Sequence, residues 1–244
     1  MVKISPSFTI KWQNIGSFEA GTTKQITYSI TYTDGKYKYP LPNGTNMQCP
    51  INGYNVGLSD GQSRTTQTGT FDNITLTEKT NITASATARF GNSPVTPINN
   101  LGIESPGSKQ LGQEKQLISA SLQGYRMGCF YGTVKNTDFN ANNLTSDIIR
   151  GLSGKTNKAY SSGTINMTAS SGATAILIAC PSSKTGVTKV LNTTVNADMT
   201  SSFNKYNNIQ VKGAGNDAGT TYNVWVYKPA EAYQNSANLS ITLG

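Results

Sequence analysis

The first half of the chain alternates apolar and polar residues with the two-residue period of half-buried β-strands. The clearest case is residues 25–33, where apolar positions alternate with Thr and Ser up to Asp34-Gly35, a pair typical of a turn. Four further segments favour strands for the same reason: residues 8–12, 54–58, 74–76 and 82–88. The pattern therefore predicts an all-β first half.

Proline and glycine interrupt this period over residues 92–112, which predicts an extended crossing between two domains. We accordingly predict an N-terminal arm at residues 1–12, an immunoglobulin-like β-sandwich at 13–103, and a linker at 104–125. Residues 126–244 are predicted to form a second, mixed β-sandwich domain.

The second half contains one segment with helical periodicity, residues 143–152. Thr145 or Ser146 can cap its start, and Gly151 or Gly154 can end it. Its apolar positions share one face: Leu144, Ile148, Ile149 and Leu152. A helix this short must pack on a sheet to be stable.

Residues 164–168 and 173–179 predict two strands joined as a hairpin by Ser170-Ser171-Gly172. The second strand is apolar almost throughout, which is typical of a central strand buried on both faces, and Pro181 should end it. Further strands are predicted at residues 127–134, 208–212, 221–227 and 238–243.

Composition agrees with a mainly β fold made of two β-sandwich-like domains, the second with one short helix. Hydrophobic residues are 36% and charged residues 13% of the chain, which also has 24 glycines. Twenty Lys and Arg against twelve Asp and Glu give a net charge of +8, which would suit an acidic partner. The basic residues are scattered, however, so no specific nucleic-acid partner is predicted. Lys36 and Lys38, which alternate with Tyr37 and Tyr39, are equally explained by an exposed strand.

The chain has no histidine, which removes the commonest general base and the commonest transition-metal ligand. Its three cysteines, Cys49, Cys129 and Cys180, are widely spaced and predict neither a zinc site nor a disulfide framework. Cys129 and Cys180 are expected to pack as small hydrophobic residues. We expect no cofactor and no enzymatic activity.

Carboxylate pairs are the remaining route to hydrolysis, and Asp138, Asp147, Asp198 and Asp217 are the candidates considered. Their spacing selects no pair, and turns or helix caps explain each of them. The glycine-rich residues 213–219 lack the Lys-Ser/Thr of a phosphate-binding loop and are better explained as a turn or bulge. Calcium ligation at Asp60-Gly61 or Asn216-Asp217 is likewise disfavoured, since neither has calcium-loop spacing.

An ordered series of motifs runs through the second half. It consists of Phe130-Tyr131-Gly132, Gly172-Ala173, Ala179-Cys180-Pro181, Gly213-Ala214-Gly215-Asn216 and the strand Tyr222-Asn-Val-Trp-Val-Tyr227. Before it stand Pro97-Ile-Asn-Asn-Leu-Gly102 and Gly124-Tyr125-Arg126. The series resembles the C-terminal module of virion fibre and appendage proteins from tailed phages of Bacteroidetes, crAss-like phages included. Cysteine replaces the aromatic residue usual before the proline, and the later turn is shifted by one residue.

This resemblance implies a non-enzymatic virion structural protein, a subunit of a head fibre or other appendage, made in the host cytoplasm and carried on the particle. The alternative is a tail-associated adhesin that binds a host surface glycan or protein. The resemblance implies capsid or tail partners and a homo-oligomer, for which a trimer is the usual fibre stoichiometry. No run is long enough to cross a membrane, and no secretory signal is present at the start, so no membrane insertion is expected.

Two sets of residues are candidates for contacts with partners. Extended termini can add to a partner sheet, so Met1, Val2, Lys3 and Ile4 are the candidate residues for docking to the virion. For a ligand or partner, the candidates are Tyr37 and Tyr39, on one face of a hairpin, together with Tyr54, because sugars stack on aromatic rings. Core or intersubunit packing explains these tyrosines as well. Tyr206, Trp225 and Tyr233 are further aromatic residues, and Trp225 is expected to be buried.

Overall fold

The computed structural model of the chain describes residues 3–4, 6–40, 46–91, 94–95, 109–110, 114–156, 160–215 and 217–244. The described residues are mainly β-strand, as predicted. Contacts divide the chain into two compact units, one made of Met1–Phe18 and Thr23–Gly124, the other of Glu19–Thr22 and Tyr125–Gly244. A four-residue segment from the first half of the sequence therefore belongs to the second unit. No helix among the described residues is long and apolar enough to span a membrane.

The first half contains all five predicted strands together with further ones that the alternation did not indicate. They are β1 (Lys3–Ile4), β2 (Ser7–Gln13), β3 (Gly16–Glu19), β4 (Thr23–Lys24), β5 (Thr27–Thr33), β6 (Gly35–Pro40), β7 (Asn46–Cys49), β8 (Ile51–Leu58), β9 (Ser63–Arg64), β10 (Thr68–Thr70), β11 (Ile74–Thr75), β12 (Asn81–Phe90), β13 (Pro94–Val95), β14 (Lys109–Gln110) and β15 (Glu114–Tyr125).

The core of the first unit lies between two sheets. One sheet has the order β10-β5-β2, and the other has the order β3-β15-β12-β8-β9. Alternate residues of β5 and β12 turn inward, so that Tyr28, Ile30, Ala84, Ala86 and Ala88 are buried in one cluster. Smaller sheets, β1-β6-β7, β11-β4 and β13-β14, complete the unit. The first unit is thus β-sandwich-like.

Two predicted boundaries need correction in this unit. The stretch 104–125 was predicted as a linker, but residues 114–125 form β15, which pairs with all ten residues of β12. The arm predicted at 1–12 contains most of β2, which pairs with β5 and buries Phe8. In both cases, inward-facing apolar residues on every second position bind the segment to the core.

The second unit contains β16 (Phe130–Val134), α1 (Ser146–Arg150), β17 (Gly154–Lys155), β18 (Gly163–Ala169), β19 (Ala175–Pro181), β20 (Val187–Asn192), β21 (Ala197–Asp198), β22 (Asn204–Val211), β23 (Thr220–Tyr227) and β24 (Ala237–Leu243). Its strands form a five-stranded sheet, β17-β16-β19-β23-β22, and a four-stranded sheet, β18-β24-β20-β21. Every pairing in these two sheets is antiparallel.

Strand β19 is buried on both faces, as its apolar sequence predicts. One face, with Leu177 and Ala179, packs in a cluster with residues of α1, while the other, with Ile176 and Ile178, packs against β24. The order of layers is therefore helix, five-stranded sheet and four-stranded sheet. Trp225 of β23 is buried, as expected.

The predicted hairpin between residues 164–168 and 173–179 is wrong. Strand β18 pairs with β24 in one sheet, whereas β19 pairs with β16 and β23 in the other. The turn at residues 170–172 carries the chain from one sheet to the other. Periodicity identified both strands correctly, but strand partners depend on contacts far apart in sequence.

The predicted helix is present but shorter. Thr145 is its N-cap, with its side-chain oxygen accepting a hydrogen bond from the backbone N–H of Ile148, and Gly151 is its C-cap. A 3-10 turn at Ala141–Asn143 precedes it. Ile149 is fully buried against the five-stranded sheet, which explains how so short a helix is held.

Candidate functional site

The predicted docking residues lie at the margin of the described chain. Met1 and Val2 are outside the described residues, while Lys3 and Ile4 form β1, opposite Tyr37 and Lys36 of β6. Strand β1 is at one edge of its three-stranded sheet. One side of this strand is therefore used within the chain, and the outer side pairs with no described strand.

Tyr37 and Tyr39 lie on β6, whose backbone pairs with β1 and β7. Their side chains are outside what the structure describes, so their candidate role stays a prediction. Tyr54 is half-buried on β8, with its ring centroid 6.1 Å from that of Tyr32. Burial, with a smaller effect of Tyr32, raises the pKa of Tyr54 to about 12, so this phenol stays protonated at neutral pH.

Tyr32 was not singled out as a contact residue from the sequence. Its side chain is 39% exposed, and it forms an aromatic pair with Tyr54 on the first unit. Position 32 continues the alternation of Tyr28 and Ile30 on β5, but it lies among the last three residues of the strand, which are all exposed.

The second unit has a polar groove of about 430 Å³ that the sequence did not identify. Its lining consists of Thr137, Asp138, Phe139, Asn140, Ala141, Asn142, Asn204, Tyr206, Val226 and Lys228. Buried Val226 and half-buried Tyr206 give it an apolar floor and wall, and most of its remaining side chains are polar. The groove lies beside β22, between this strand and the loop that precedes α1.

Local hydrogen bonds shape both walls of the groove. In the loop, Asn136 Oδ1 accepts from Asp138 N and Asn140 Oδ1 accepts from Asn142 N, both at 2.9 Å, so two consecutive turns fix the backbone. Lys228 Nζ donates to Phe139 O at 2.9 Å and ties the loop to the end of β23. On β22, Asn204 and Tyr206 share a face because side chains alternate along a strand.

This arrangement can bind a neutral polar ligand. Three amide side chains and the Asp138 carboxyl offer donors and acceptors around one tyrosine ring. Convergent polar groups beside an aromatic face are what a sugar ring requires, since its hydroxyls form hydrogen bonds while its C–H face stacks.

Two partly buried ion pairs hold the loops at the other end of β22. Arg126 Nη1 lies 2.6 Å from Asp217 Oδ2, and Nη2 lies 3.2 Å from Oδ1. Asp217 Oδ2 also accepts from the backbone N–H groups of Gly213 and Gly219. The hydrogen bond from Arg126 lowers the pKa of Asp217. The positive charge of Arg126 and the two N–H groups lower this pKa further. Residues 213–215 and 217–219 are thus held by one carboxylate, consistent with the structural interpretation, while Asn216 lies outside the described residues.

The second pair joins Arg150 of α1 to Glu19, again with two hydrogen bonds, of 2.6 and 3.2 Å. Glu19 belongs to the segment Glu19–Thr22, which we call the strap. Within the strap, Ala20 is fully buried, donates to Tyr125 O at 2.7 Å and accepts from Ala214 N at 2.8 Å. The strap is therefore an integral part of the second unit.

Cys129 and Cys180 form a disulfide, which corrects the prediction that no disulfide was indicated. Phe130 pairs with Ala179, so the antiparallel register places Cys129 directly opposite Cys180. Their Cα atoms are 4.5 Å apart, the separation of directly opposed residues in the closer type of antiparallel pair. Their burial was predicted correctly; what sequence spacing could not reveal was the register that brings two positions 51 residues apart together.

The remaining acidic candidates lie in turns, at the start of the helix or at the end of β21. Asp198 accepts from Thr200 Oγ1 at 2.6 Å, which lowers the pKa of Asp198, and Asp147 lies in the first turn of α1. Asp60 Oδ1 accepts from Gln62 N at 3.1 Å in a turn. Among the described residues, no group of three or more Cys, Asp and Glu side chains is arranged to hold a metal ion.

No protein-family model, no curated protein and no solved structure matches the chain. The functional argument therefore depends on the residues themselves.

Proposed function

We propose that this chain is a non-enzymatic phage virion structural protein, a head-fibre or other appendage subunit displayed on the particle. The observation that carries the proposal is the disulfide between Cys129 and Cys180. Such bonds persist on virions, on cell surfaces and in secreted proteins, whereas reducing systems keep cytosolic thiols reduced. A subunit made in the host cytoplasm would acquire the bond once the particle leaves the cell.

The residues that carry the resemblance to fibre and appendage proteins support the same proposal. Gly172 has a φ of +79° in the turn before β19, and Ala179-Cys180-Pro181 ends this central strand. The Tyr222 to Tyr227 motif falls within β23, the neighbour of β19. The matched residues thus lie in two central strands of a domain and in the turn before one of them, as expected if the likeness is one of architecture. The immunoglobulin-like topology of the first domain and its attachment to capsid or tail are parts of this proposal.

The test is to locate the protein by cryo-electron microscopy of the source particles, using a tagged copy of the chain. Density on the outside of the capsid would support a head-fibre or decoration role. Density on the tail would favour the adhesin described below. Absence of the protein from purified particles would overturn the virion assignment.

Docking through residues 1–4 can be tested separately by deleting them. Strand β2 begins at Ser7 and remains intact, so we expect the shortened protein to fold. If the arm adds to a partner sheet, the shortened protein will not enter particles when it competes with the full chain. The control replaces residues 1–4 with an unrelated sequence of equal length. Normal incorporation of the shortened chain would rule out docking through the arm.

The second candidate function is a tail-associated adhesin that binds a host surface glycan or protein, and the groove beside β22 favours it. Its three amides, one carboxyl and Tyr206 ring suit a sugar. Purified protein should then bind host cells and compete with phage adsorption. Absence of binding would leave the purely structural role. Release of reducing ends from host capsule would contradict a non-enzymatic protein in either form.

A further inference from the structure

Strand β18 forms one edge of the four-stranded sheet, and this edge has no feature that would oppose pairing with another strand. Its seven residues, Gly163–Ala169, pair continuously with β24, and no described strand lies on its other side. The strand contains no charged residue, no proline and no bulge. A regular edge of this kind presents unpaired backbone N–H and C=O groups, which natural proteins usually block.

The other three edges of the same two sheets carry such blocks. β17 and β21 are two residues long, and each includes a charged residue, Lys155 and Asp198 respectively. β22 has a register irregularity between Tyr206 and Ile209, where Asn208 has a φ of +57°, and it also carries Lys205. Short length, charge and irregular backbone all oppose strand addition. Among these edges, only β18 is long, uncharged and free of a register irregularity; its one unusual backbone angle is the φ of +144° at Gly163, its first residue.

The side chains of β18 are arranged for a further strand. Ile165 and Met167 point inward and pack against the core, yet both remain half-exposed because no strand covers their outer side. Thr164, Asn166 and Thr168 are exposed on the opposite face. An added strand with the same alternation would cover the apolar pair and place polar residues beside polar residues.

We propose that β18 pairs with β18 of a second copy of this chain. The two strands run antiparallel around a two-fold axis at Asn166, so that each copy's four-stranded sheet contributes to one continuous sheet. In this register Ile165 lies opposite Met167 and Thr164 lies opposite Thr168, apolar with apolar and polar with polar. β18 has no charged residue that could meet its own copy, whereas β17, β21 and β22 each carry one. The product is a dimer rather than the trimer usual for fibres.

The test is the mass of the purified protein by sedimentation equilibrium. The wild-type chain should sediment at twice its 26.0 kDa mass. Asn166→Lys places two ammonium groups opposite each other and should raise the dimer dissociation constant at least tenfold. Asn166 is exposed, so the variant should fold, which circular dichroism and the thermal transition will check. Asn207→Lys, the same change at an exposed position of edge strand β22, is the matched control and should remain dimeric.

Charge complementation makes the test specific to this register. Asn166→Asp should also dissociate the dimer, since it brings two carboxylates together, while an equimolar mixture with Asn166→Lys should form the mixed dimer. A monomeric or trimeric wild type, a dimer unaffected by Asn166→Lys, dissociation by Asn207→Lys, or failure of the mixture to associate would each overturn the proposal. None of these results bears on whether the protein is displayed on a virion, which the particle density tests independently.

Discussion

Arg126 binds Asp217 through two hydrogen bonds, with Nη1 2.6 Å from Oδ2 and Nη2 3.2 Å from Oδ1. Their side chains are only 18% and 12% exposed, so the pair is shielded from water. The same carboxylate accepts two backbone N–H groups of its own loop. Replacing Asp217 therefore removes the carboxylate that organises this loop and binds Arg126.

We predict that Asp217→Asn lowers the free energy of unfolding of the second unit by about 2 kcal/mol at neutral pH, between the small effect of breaking an exposed pair and the larger effect of breaking a buried one. The pKa of Asp217 is lowered in the folded state, so its contribution is present above pH about 4 and is lost as the pH falls through the lowered value. The difference between wild type and variant should therefore shrink in acid.

The measurement is urea unfolding at several pH values, followed by tryptophan fluorescence. The chain has two tryptophans, and replacing Trp12 with Phe leaves Trp225 to report on the second unit. Asp138→Asn, at an exposed carboxyl, is the control and should change stability by less than about 0.5 kcal/mol. A difference between Asp217→Asn and wild type that is the same at all pH values would contradict the role of the charge.

Reduction of the disulfide should destabilise the second unit without changing its fold. The disulfide closes a loop with a sequence separation of 51. In the chain-entropy description, this raises the free energy of unfolding by up to about 4 kcal/mol. We expect a lower thermal transition in dithiothreitol, and no response to dithiothreitol in the Cys129→Ala/Cys180→Ala variant. Thiol titration of the denatured, unreduced chain should find one thiol among the three cysteines. Three titratable thiols in protein purified without reductant would contradict the disulfide and remove the main support for the proposed function.

The sequence predicted local structure well and distant pairing poorly. The alternation that includes Ile26, Tyr28 and Ile30 identified β5, and the apolar run ending at Pro181 identified β19. Both patterns are local consequences of burial on one or two faces of a strand. The partner of β18 was wrong because neither its turn nor its own residues determine which sheet it joins.

The missed features had weaker signals or none. Strand β15 could have been found from Ile118, Ala120 and Leu122, whose alternation was overlooked in a segment rich in glutamine and serine. The disulfide needed the register of β16 against β19. The groove beside β22 could not be predicted, because it brings together residues of a loop and two strands that are far apart in sequence.

The strap should be sensitive to the size of one residue. Gly21 has a φ of +90°, and a Cβ atom there would collide with the backbone oxygen of Ala214 and the side chain of Asp217. Gly172 also has a positive φ, +79°, but a Cβ atom there would meet nothing within 4 Å. Both residues belong to the second unit, so they form a matched pair.

We predict that Gly172→Ala lowers the free energy of unfolding by about 1 kcal/mol, because alanine is strained in a left-handed backbone. Gly21→Ala should lower it by about 2 kcal/mol more, because its Cβ atom also collides with the loop of Ala214. Urea unfolding followed by Trp225 fluorescence measures both. Equal effects of the two substitutions would mean that the strap is not packed against the loop of Ala214 in solution.

The last prediction concerns the groove beside β22 and its tyrosine. If the groove binds a sugar ring, Tyr206→Ala should weaken binding of a host-capsule oligosaccharide at least tenfold, equivalent to about 1.4 kcal/mol, while Tyr206→Phe should retain most of the affinity because it keeps the ring. Lys205→Ala changes the neighbouring residue of the same strand, whose ammonium group lies over the ring of Trp225 on the other face, and should leave binding unchanged.

Isothermal titration calorimetry gives these affinities, and the thermal transition of each variant shows whether the fold is kept. Tyr206 also packs partly against the core, so the comparison with Tyr206→Phe is needed to separate lost stacking from lost stability. Wild-type affinity in a folded Tyr206→Ala variant would exclude the groove as the sugar site. Tyr32 and Tyr54 on the first unit would then be the aromatic residues to substitute next, since their rings pair and one of them is open to solvent.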